Sequence, residues 1–406
     1  MIANHVAGRL SALDEEVVRA VPPGGNWRDL PTDFASKRID QIRASAARGE
    51  GSRSTYYGRL QWDRPSYTIS TYFNRPGNGC FIHPEAPRLI TIREAARLQS
   101  FPDRFRFVGS GRRPLLQVGN AVPPLLALQL ARMYEPGSIV DLFSGVGGLS
   151  LGFEWAGFEL IAASDNDAAS NEALRVNTQR PSDPVIAADL GKPDEHSAVM
   201  REIKNRLSGR LDVLIGGSPC QGFSTAGFAR MDDPRNKLLF AFIAAVEDLR
   251  PRHVIMENVP ALMWRRRRPF LETIIQRLHA LGYMPGAKIL HAEGYGVPQL
   301  RRRLFVAGSL DREIAWPRPW RTIMEPAQLE HQPGANTQNQ LEAPVTVREA
   351  ISDLPITAAH SSDEIVSYAG PPVSAYQRWA RGEIDVSALI REPGPGRGQD
   401  TLFAVA

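Results

Sequence analysis

From Ser138 onward, short apolar runs alternate with longer segments of helical spacing. SIVDLF (138–143), FELIAASD (158–165), VIAADL (185–190), RLDVLIGGSP (210–219) and HVIMENVP (253–260) read as strands bounded by Gly, Pro and Asp. Leu149, Leu151, Phe153 and Trp155 lead into a helix, and LLFAFIAAVEDLRP (238–251) and PFLETIIQRLHALGY (269–283) predict two more. Upstream, TIREAARLQSF (91–101) predicts a helix, and GNAVPPLLALQLARMY (119–134) a turn followed by a helix. Strands alternating with helices imply an α/β fold with a mostly parallel sheet. Ligands of such sheets bind beyond the carboxyl ends of the strands. Asp141 to Phe143, Asp165, Asp189, Pro219-Cys220 and Glu257-Asn258 occupy those ends, so several chemical groups face one crevice. Residues 1–90 and 311–406 are rich in Pro, Gly and polar residues, without sustained periodicity, internal repeats or heptads.

Composition narrows the class. The 406 residues are 43% apolar and 23% charged, which excludes disordered and fibrous chains and allows two or three domains. Two cysteines, Cys80 and Cys220, exclude a disulfide framework and a Cys-rich zinc or iron–sulfur site, and no metal is expected. No apolar run is long enough for a membrane span, and MIANHVAGRLSALDEE lacks the apolar segment of a secretory signal. A reducing, cytoplasmic setting is therefore expected. The net charge is +4, and Lys stands only at positions 37, 192, 204, 237 and 288, so the basic residues are nearly all Arg. Arg forks onto phosphates and guanine edges; a coding bias toward G and C gives the same enrichment.

Four short motifs carry candidate chemistry. Asp141-Leu-Phe143-Ser-Gly145-Val-Gly147-Gly148 follows a strand and opens a helix, where glycines let a ligand approach the backbone. It is neither a G-x-G-x-x-G nor a Walker loop. Asp165, at the end of the next strand, suits the hydroxyls of a ribose; without a ligand, the loop is a tight strand-to-helix turn. Cys220, in GGSPCQGFS, is either a buried thiol or a nucleophile whose pKa is lowered by a helix start and nearby Arg. Cys80 reads as a loop or core thiol. Glu257 is either a helix-capping acid or a carboxyl beside a basic heterocycle, sharing its proton with a ring nitrogen. In Gln299-Leu-Arg301-Arg302-Arg303, alternation points Arg301 and Arg303 one way on a strand. With Glu257 they would grip a polar heterocycle; otherwise they form a solvated basic edge. Arg265 to Arg268 is either a phosphate-tracking run or a solvated face. Arg59, Trp62 and Arg64 are candidate base or phosphate readers.

Taken together, Phe143-x-Gly145-x-Gly147-Gly148, Pro219-Cys220-Gln221, Glu257-Asn258-Val259 and Gln299-x-Arg301-x-Arg303 resemble the successive motifs of DNA (cytosine-5) methyltransferases. REAARLQSFPD (93–103) and VGNAVPPLLA (118–127) resemble the family's last two motifs, but here they precede the glycine loop. TVREAISDLP (346–355) resembles the segment entering the recognition region, and WRDLP, YYGRLQWDRPSYTI and HPEAPRLITIREAARLQ its exit. The resemblance therefore implies a circular permutation cut within the recognition domain. Residues 1–112 and 332–406 would form that domain together, and 113–331 the catalytic one.

The resemblance implies a Rossmann-like, S-adenosylmethionine-dependent methyltransferase domain with a smaller, irregular target-recognition domain. It implies duplex DNA as partner, one protomer per flipped cytosine, and a restriction endonuclease as functional counterpart. It makes Cys220 the nucleophile at cytosine C6, places Glu257 at N3 and N4 and Arg303 at the O2 side, and adds Gln299 and Arg301 to the catalytic set. Phe143 would pack on the adenine, Asp165 would bind the ribose, and Asp189 would face the adenine amino group. Gly145, Gly147, Gly148, Asn166, Pro219, Asn120 and Val122 would line the same cofactor pocket. Ser224 would contact a phosphate, in a loop from Gln221 to Lys237 that closes over DNA about Gly222 and Gly227. Asp165 departs from the family's usual Glu, and Asn166 stands where an adenine-stacking side chain is usual. A tRNA cytosine-5 methyltransferase and a catalytically dead DNA-binding relative are the competing readings.

Overall fold

The structure is a computed structural model that describes residues 1–49, 55–178, 182–218, 237–265, 267–324, 341–356 and 365–391. Its chain packs into two compact units. One contains Met1–Asn120, Gly296–Arg301 and Arg321–Arg391; the other contains Ala121–Tyr295 and Arg302–Trp320.

The second unit is built on a seven-stranded sheet. Its strands are β1 (Ser138–Leu142), β2 (Glu159–Asp165), β3 (Val185–Ala187), β4 (Val213–Gly216), β5 (His253–Asn258), β6 (Met284–His291) and β7 (Arg302–Ser309). Their order is β3-β2-β1-β4-β5-β7-β6. All neighbouring pairs are parallel except those of β7, which runs antiparallel to both β5 and β6. The direction of winding reverses between β1 and β4, the switch point at which doubly wound sheets open a crevice. The mostly parallel α/β sheet expected from the sequence is thus present, and its order is Rossmann-like.

Strand alternation explains how the sheet is buried on both faces. Val140, Leu142, Leu214, Val254, Met256, Leu304 and Val306 join one core cluster with residues of the helices Pro193–Arg206, Lys237–Leu249 and Arg268–Ala280. The intervening Ile139, Ile215, Ile255 and Phe305 point the other way and are equally buried. The helices Pro124–Ala131 and Gly148–Trp155 cross in contact: a Cβ on Gly152 would lie 2.5 Å from the Cβ of Ala127. β6 and β7 are the strands that periodicity did not single out. β6 contains Pro285, which its edge position tolerates because no further strand needs that N–H.

Among the described residues the first unit has little sheet: Gly58–Arg59 paired with Cys80–Ile82, and isolated bridges. Its helices are set by caps. Thr91 and Glu94 form a reciprocal capping box for Ile92–Leu98, as Thr346 and Glu349 do for Val347–Ile351. The turn expected at Gly119 and Asn120 is instead the end of a helix, Arg113–Asn120. Gly119 is there for proximity: a Cβ would sit 2.7 Å from the backbone of Ser70 and Thr71.

N- and C-terminal segments are interlocked within this unit. Ile2 exchanges two backbone hydrogen bonds with Val366, at 2.8 and 3.0 Å. The guanidinium of Arg97, fully buried, bridges Asp103 (2.7 Å) and Asp353 (2.5 Å). Arg381 closes on Asp353 at 2.6 Å, and the Tyr368 hydroxyl donates to Asp103 at 2.7 Å. Two cations and two anions thus neutralise each other away from water. Removing one member strands a buried charge and costs about 3–5 kcal/mol. Asp353→Ala is expected to lower unfolding stability by that amount, read from the urea midpoint; an unmoved midpoint would refute the clamp.

Candidate active site

The site residues of the second unit converge because they end successive strands. After β1 the chain turns left-handed at Phe143 (φ 58°), Gly145 (φ 52°) and Gly147 (φ 82°) before Gly148 opens the helix Gly148–Trp155. Among the described residues, no atom outside its chain neighbours comes within 4 Å of where a Gly145 Cβ would be, so this backbone borders open space. Phe143 is partly buried against the core cluster. Asp165 fixes the loop: its Oδ2 accepts from the Gly145 N–H and its Oδ1 from the Asp167 N–H, each at 2.8 Å. Burial holds the Asp165 pKa above the usual carboxylate range. The sequence suggested a ligand contact for Asp165; the structure adds this positioning role. Asn166, beside it, is exposed. Asp189 follows β3 in a turn, its Oδ1 accepting from Gly191 N–H at 3.0 Å and its own N–H donating to Glu195 at 2.6 Å.

A group that the motifs underplayed lies at the end of β1. The Asp141 carboxylate is fully buried, and among the described residues neither oxygen has a hydrogen-bond partner. Burial pushes its pKa up to about 7, and the Asp165 carboxyl adds to the rise. The hydroxyl and N–H of Ser150 oppose that rise from outside hydrogen-bonding geometry. The hydroxyls of Ser144, Ser164 and Ser218, at the ends of β1, β2 and β4, are also buried without partners among the described residues. An acid interrupting the apolar run SIVDLF was the available signal for Asp141; nothing local marks the serines. Unsatisfied buried groups are few in folded proteins, and each calls for an explanation. Here they cluster around the open glycine loop, which fits a polar nucleoside ligand with a cationic tail.

The end of β5 carries the second constellation. Glu257 lies directly opposite Phe305 of antiparallel β7, which puts Arg303 in the diagonal position on the same face. The Arg303 Nε accordingly reaches the Glu257 Oε1 at 2.8 Å, both side chains being largely buried. The Glu257 Oε2 lies 3.3 Å from where a Gly217 Cβ would be, and the Asn258 amide donates to the Ser218 carbonyl at 3.3 Å. Glu257 and Asn258 therefore stand against the residues that immediately precede Pro219-Cys220. Pro219, Cys220, Ser224 and all of 219–236 lie outside the described residues, as does Arg266 of the arginine run.

Other expectations change. β7 begins only at Arg302, so Arg301 does not share a strand face with Arg303. Arg301 belongs to the first unit, fully buried, donating to the carbonyls of Ile69 (3.2 Å) and Gly119 (3.0 Å). Gln299 is buried there too, accepting from Ile69 N–H and donating to the Leu98 carbonyl and the Gln99 side chain. Both are bonded to backbone groups within the first unit. Asn120 is exposed at a helix end of the first unit, while Val122, in the second, is buried. Arg59 is not a base reader: it is buried, with every guanidinium nitrogen on a carbonyl of Val18, Val21, His83 or Ala86. The Trp62 ring packs against His83 and Arg348. Burial pushes the Cys80 thiol up to about 12, leaving it inert.

The sheet order and the glycine loop after its first strand define a Rossmann-like α/β protein with its site at the strand ends. The C-5 cytosine-specific DNA methylase family matches residues 22–135 and 137–380, and the chain belongs to that family. It is 36% identical over 249 residues to the Type II methyltransferase M.AgeI of Thalassovita gelatinovora, covering 60% of this chain and 57% of that protein. It is 39% identical over 174 residues to M.XorII of Xanthomonas oryzae, covering 42% of this chain and 40% of that one. The chain spans about half the length of the curated relatives it matches. A solved E. coli structure, described as a DNA modification methyltransferase encoded within a prophage, is 31% identical with a TM-score of 0.36, over 42% of this chain and 46% of that one.

The Asp141 pKa near 7 yields a signed prediction. The folded chain keeps this proton between the ordinary carboxylate value near 3.8 and about 7, where the unfolded chain has lost it. Stability therefore falls as pH rises through that window and is level above it. Asp141→Asn removes the ionisation cost, on the order of 4 kcal/mol at pH 8. The ligand-free variant is expected to melt above wild type at pH 8, with the gap closing toward pH 4. A gap independent of pH would show that Asp141 does not carry the shift.

Proposed function

We propose that this chain is a sequence-specific DNA cytosine-5 methyltransferase that uses S-adenosylmethionine. The observation that carries the proposal is the Arg303–Glu257 pair, set at a strand end against the residues preceding Pro219-Cys220. The glycine loop, Asp165, Asp189 and the unpartnered Asp141 would hold the cofactor. When bound, it supplies an electrophilic methyl group on sulfur.

The chain's own residues do the rest. Cytosine C5 is a poor nucleophile until its ring loses aromaticity. The Cys220 thiolate adds to C6, forming an S–C bond. Glu257 shares a proton with N3 and accepts from N4, while Arg303 donates on the O2 side, so the added electron density is held in the ring. C5 then has enamine character and can be alkylated. Loss of the C5 proton and expulsion of the thiolate restore the aromatic ring. The base cannot be reached inside a duplex, so it must leave the stack.

The chain order supports a circular permutation. The two family matches divide at residue 136, and the segments at either end of the sequence interlock in one unit. That unit is the reading's recognition domain. The relatives' names favour the modification half of a restriction–modification pair, acting as a monomer in the cytoplasm. Among the described residues, no helix is long and apolar enough to cross a membrane.

The test is transfer of labelled methyl from S-adenosylmethionine to unmethylated bacterial DNA, with tRNA and Cys220→Ala protein in parallel. The expected product is 5-methylcytosine in one short DNA motif, mapped by bisulfite sequencing, and none with Cys220→Ala. Label in tRNA alone would make the chain an RNA methyltransferase. DNA binding without label would make it a dead scaffold. Glu257→Gln cannot share a proton with N3 and is expected to slow turnover by at least about 100-fold, measured as single-turnover rate; an unchanged rate would remove Glu257 from the mechanism.

A further inference from the structure

The helix Ala168–Asn177 follows β2, and the chemistry above uses none of its side chains. Its start is fixed by the N-cap Asp167, whose Oδ2 accepts from the Ser170 N–H at 2.9 Å and from the Ser170 hydroxyl at 2.8 Å. One face of this helix meets both halves of the strand-end site. Leu174 touches the glycine loop: a Cβ on Gly147 would lie 2.4 Å from the Leu174 Cδ1. Asn171, one turn earlier on the same face, reaches the end of β2.

Asn171 is only 1% exposed, and its Nδ2 donates to the Asp165 carbonyl at 3.0 Å. The N–H of Ala188, the residue before Asp189, donates to the same carbonyl at 3.1 Å. The main chain of Asp165 is thus held from the helix and from the segment that leads to Asp189. Its carboxylate, on the same residue, accepts from the Gly145 and Asp167 N–H groups. Holding the main chain therefore aims the side chain that fixes the glycine loop. The Asn171 Oδ1 is buried with no hydrogen-bond partner among the described residues. That costs stability, and an apolar side chain would fill a buried helix position without the cost. The amide cannot turn over either, because its Oδ1 would then face the Asp165 carbonyl oxygen. The bond to Asp165 is what orients it.

We propose that Asn171 is a positioning residue for the nucleoside end of the cofactor, acting through Asp165 to hold the glycine loop and the approach to Asp189 in place. This rests on the cofactor reading above and adds a residue that belongs to none of the motifs.

The test is calorimetric binding of S-adenosylhomocysteine to the full-length, ligand-free protein, with the melting temperature read alongside. Wild type is measured first; if it binds none, the cofactor reading itself fails, whatever the variants do. Given wild-type binding, Asn171→Ala is expected to raise Kd about 10-fold. The KM for S-adenosylmethionine should rise with it, while kcat at saturating cofactor stays within about two-fold. Asn171→Asp keeps the size and turns the donor into an oxygen that repels the carbonyl, so it is expected to weaken binding at least as much. Glu172→Ala, at an exposed position of the same helix, is expected to match wild type. A wild-type Kd in the folded Asn171 variants would overturn the proposal. So would a fall in kcat as large as the rise in Kd, which marks general damage rather than positioning of the cofactor. If both variants fail to fold, wild type carries the test. S-adenosylhomocysteine is expected to slow amide hydrogen exchange across 165–174, and unchanged exchange there with binding intact would overturn the proposal.

Discussion

The pairing of β5 with β7 is the constraint on which the site depends. The antiparallel register sets Glu257 opposite Phe305 and leaves Arg303 diagonal to it. A slip of one residue would turn Arg303 to the other face and put Arg302 in its place. The register is held by burial on both faces, since Leu304 and Val306 sit in one core and Phe305 and Ala307 are buried opposite them. The apolar core thus aims a charged pair, although neither member contributes to that core.

The other end of the site works by withholding partners. Asp141, Ser144, Ser164 and Ser218 are buried with polar atoms unsatisfied. Each costs stability, and the surrounding sheet must supply the difference. Such a cluster is stable only on a rigid frame, and β1 is the strand flanked on both sides at the switch point. Under the proposed function, the same groups would already be desolvated and oriented before a ligand supplies the missing partners.

In the first unit, polar side chains take the structural role that a sheet plays in the second. Arg97, Arg59, Arg301 and Gln299 are all buried and bonded mostly to backbone carbonyls or to acids distant in sequence. A loop-rich domain has many carbonyls without ladder partners, and arginine supplies five donors in one side chain. Part of the chain's arginine excess is therefore internal scaffolding. Arg88, Arg93 and Arg97 near the Ile92–Leu98 helix follow the same pattern.

The α/β class, the places of the first five sheet strands along the chain and the acids at their ends were legible in the sequence. Those features are local: period-two and helical patterns, glycines at left-handed turns, and acids where apolar runs stop. It also carried the family resemblance in its motifs. Which charged residues meet depends on the packed fold. Arg301 and Arg303 look equivalent in sequence, yet a strand that starts at Arg302 sends one to buried carbonyls and the other to Glu257. Arg59 was a candidate reader and proved to be a strut. A side chain's partner is fixed by register and by residues hundreds of positions away, and neither is encoded in the spacing around it.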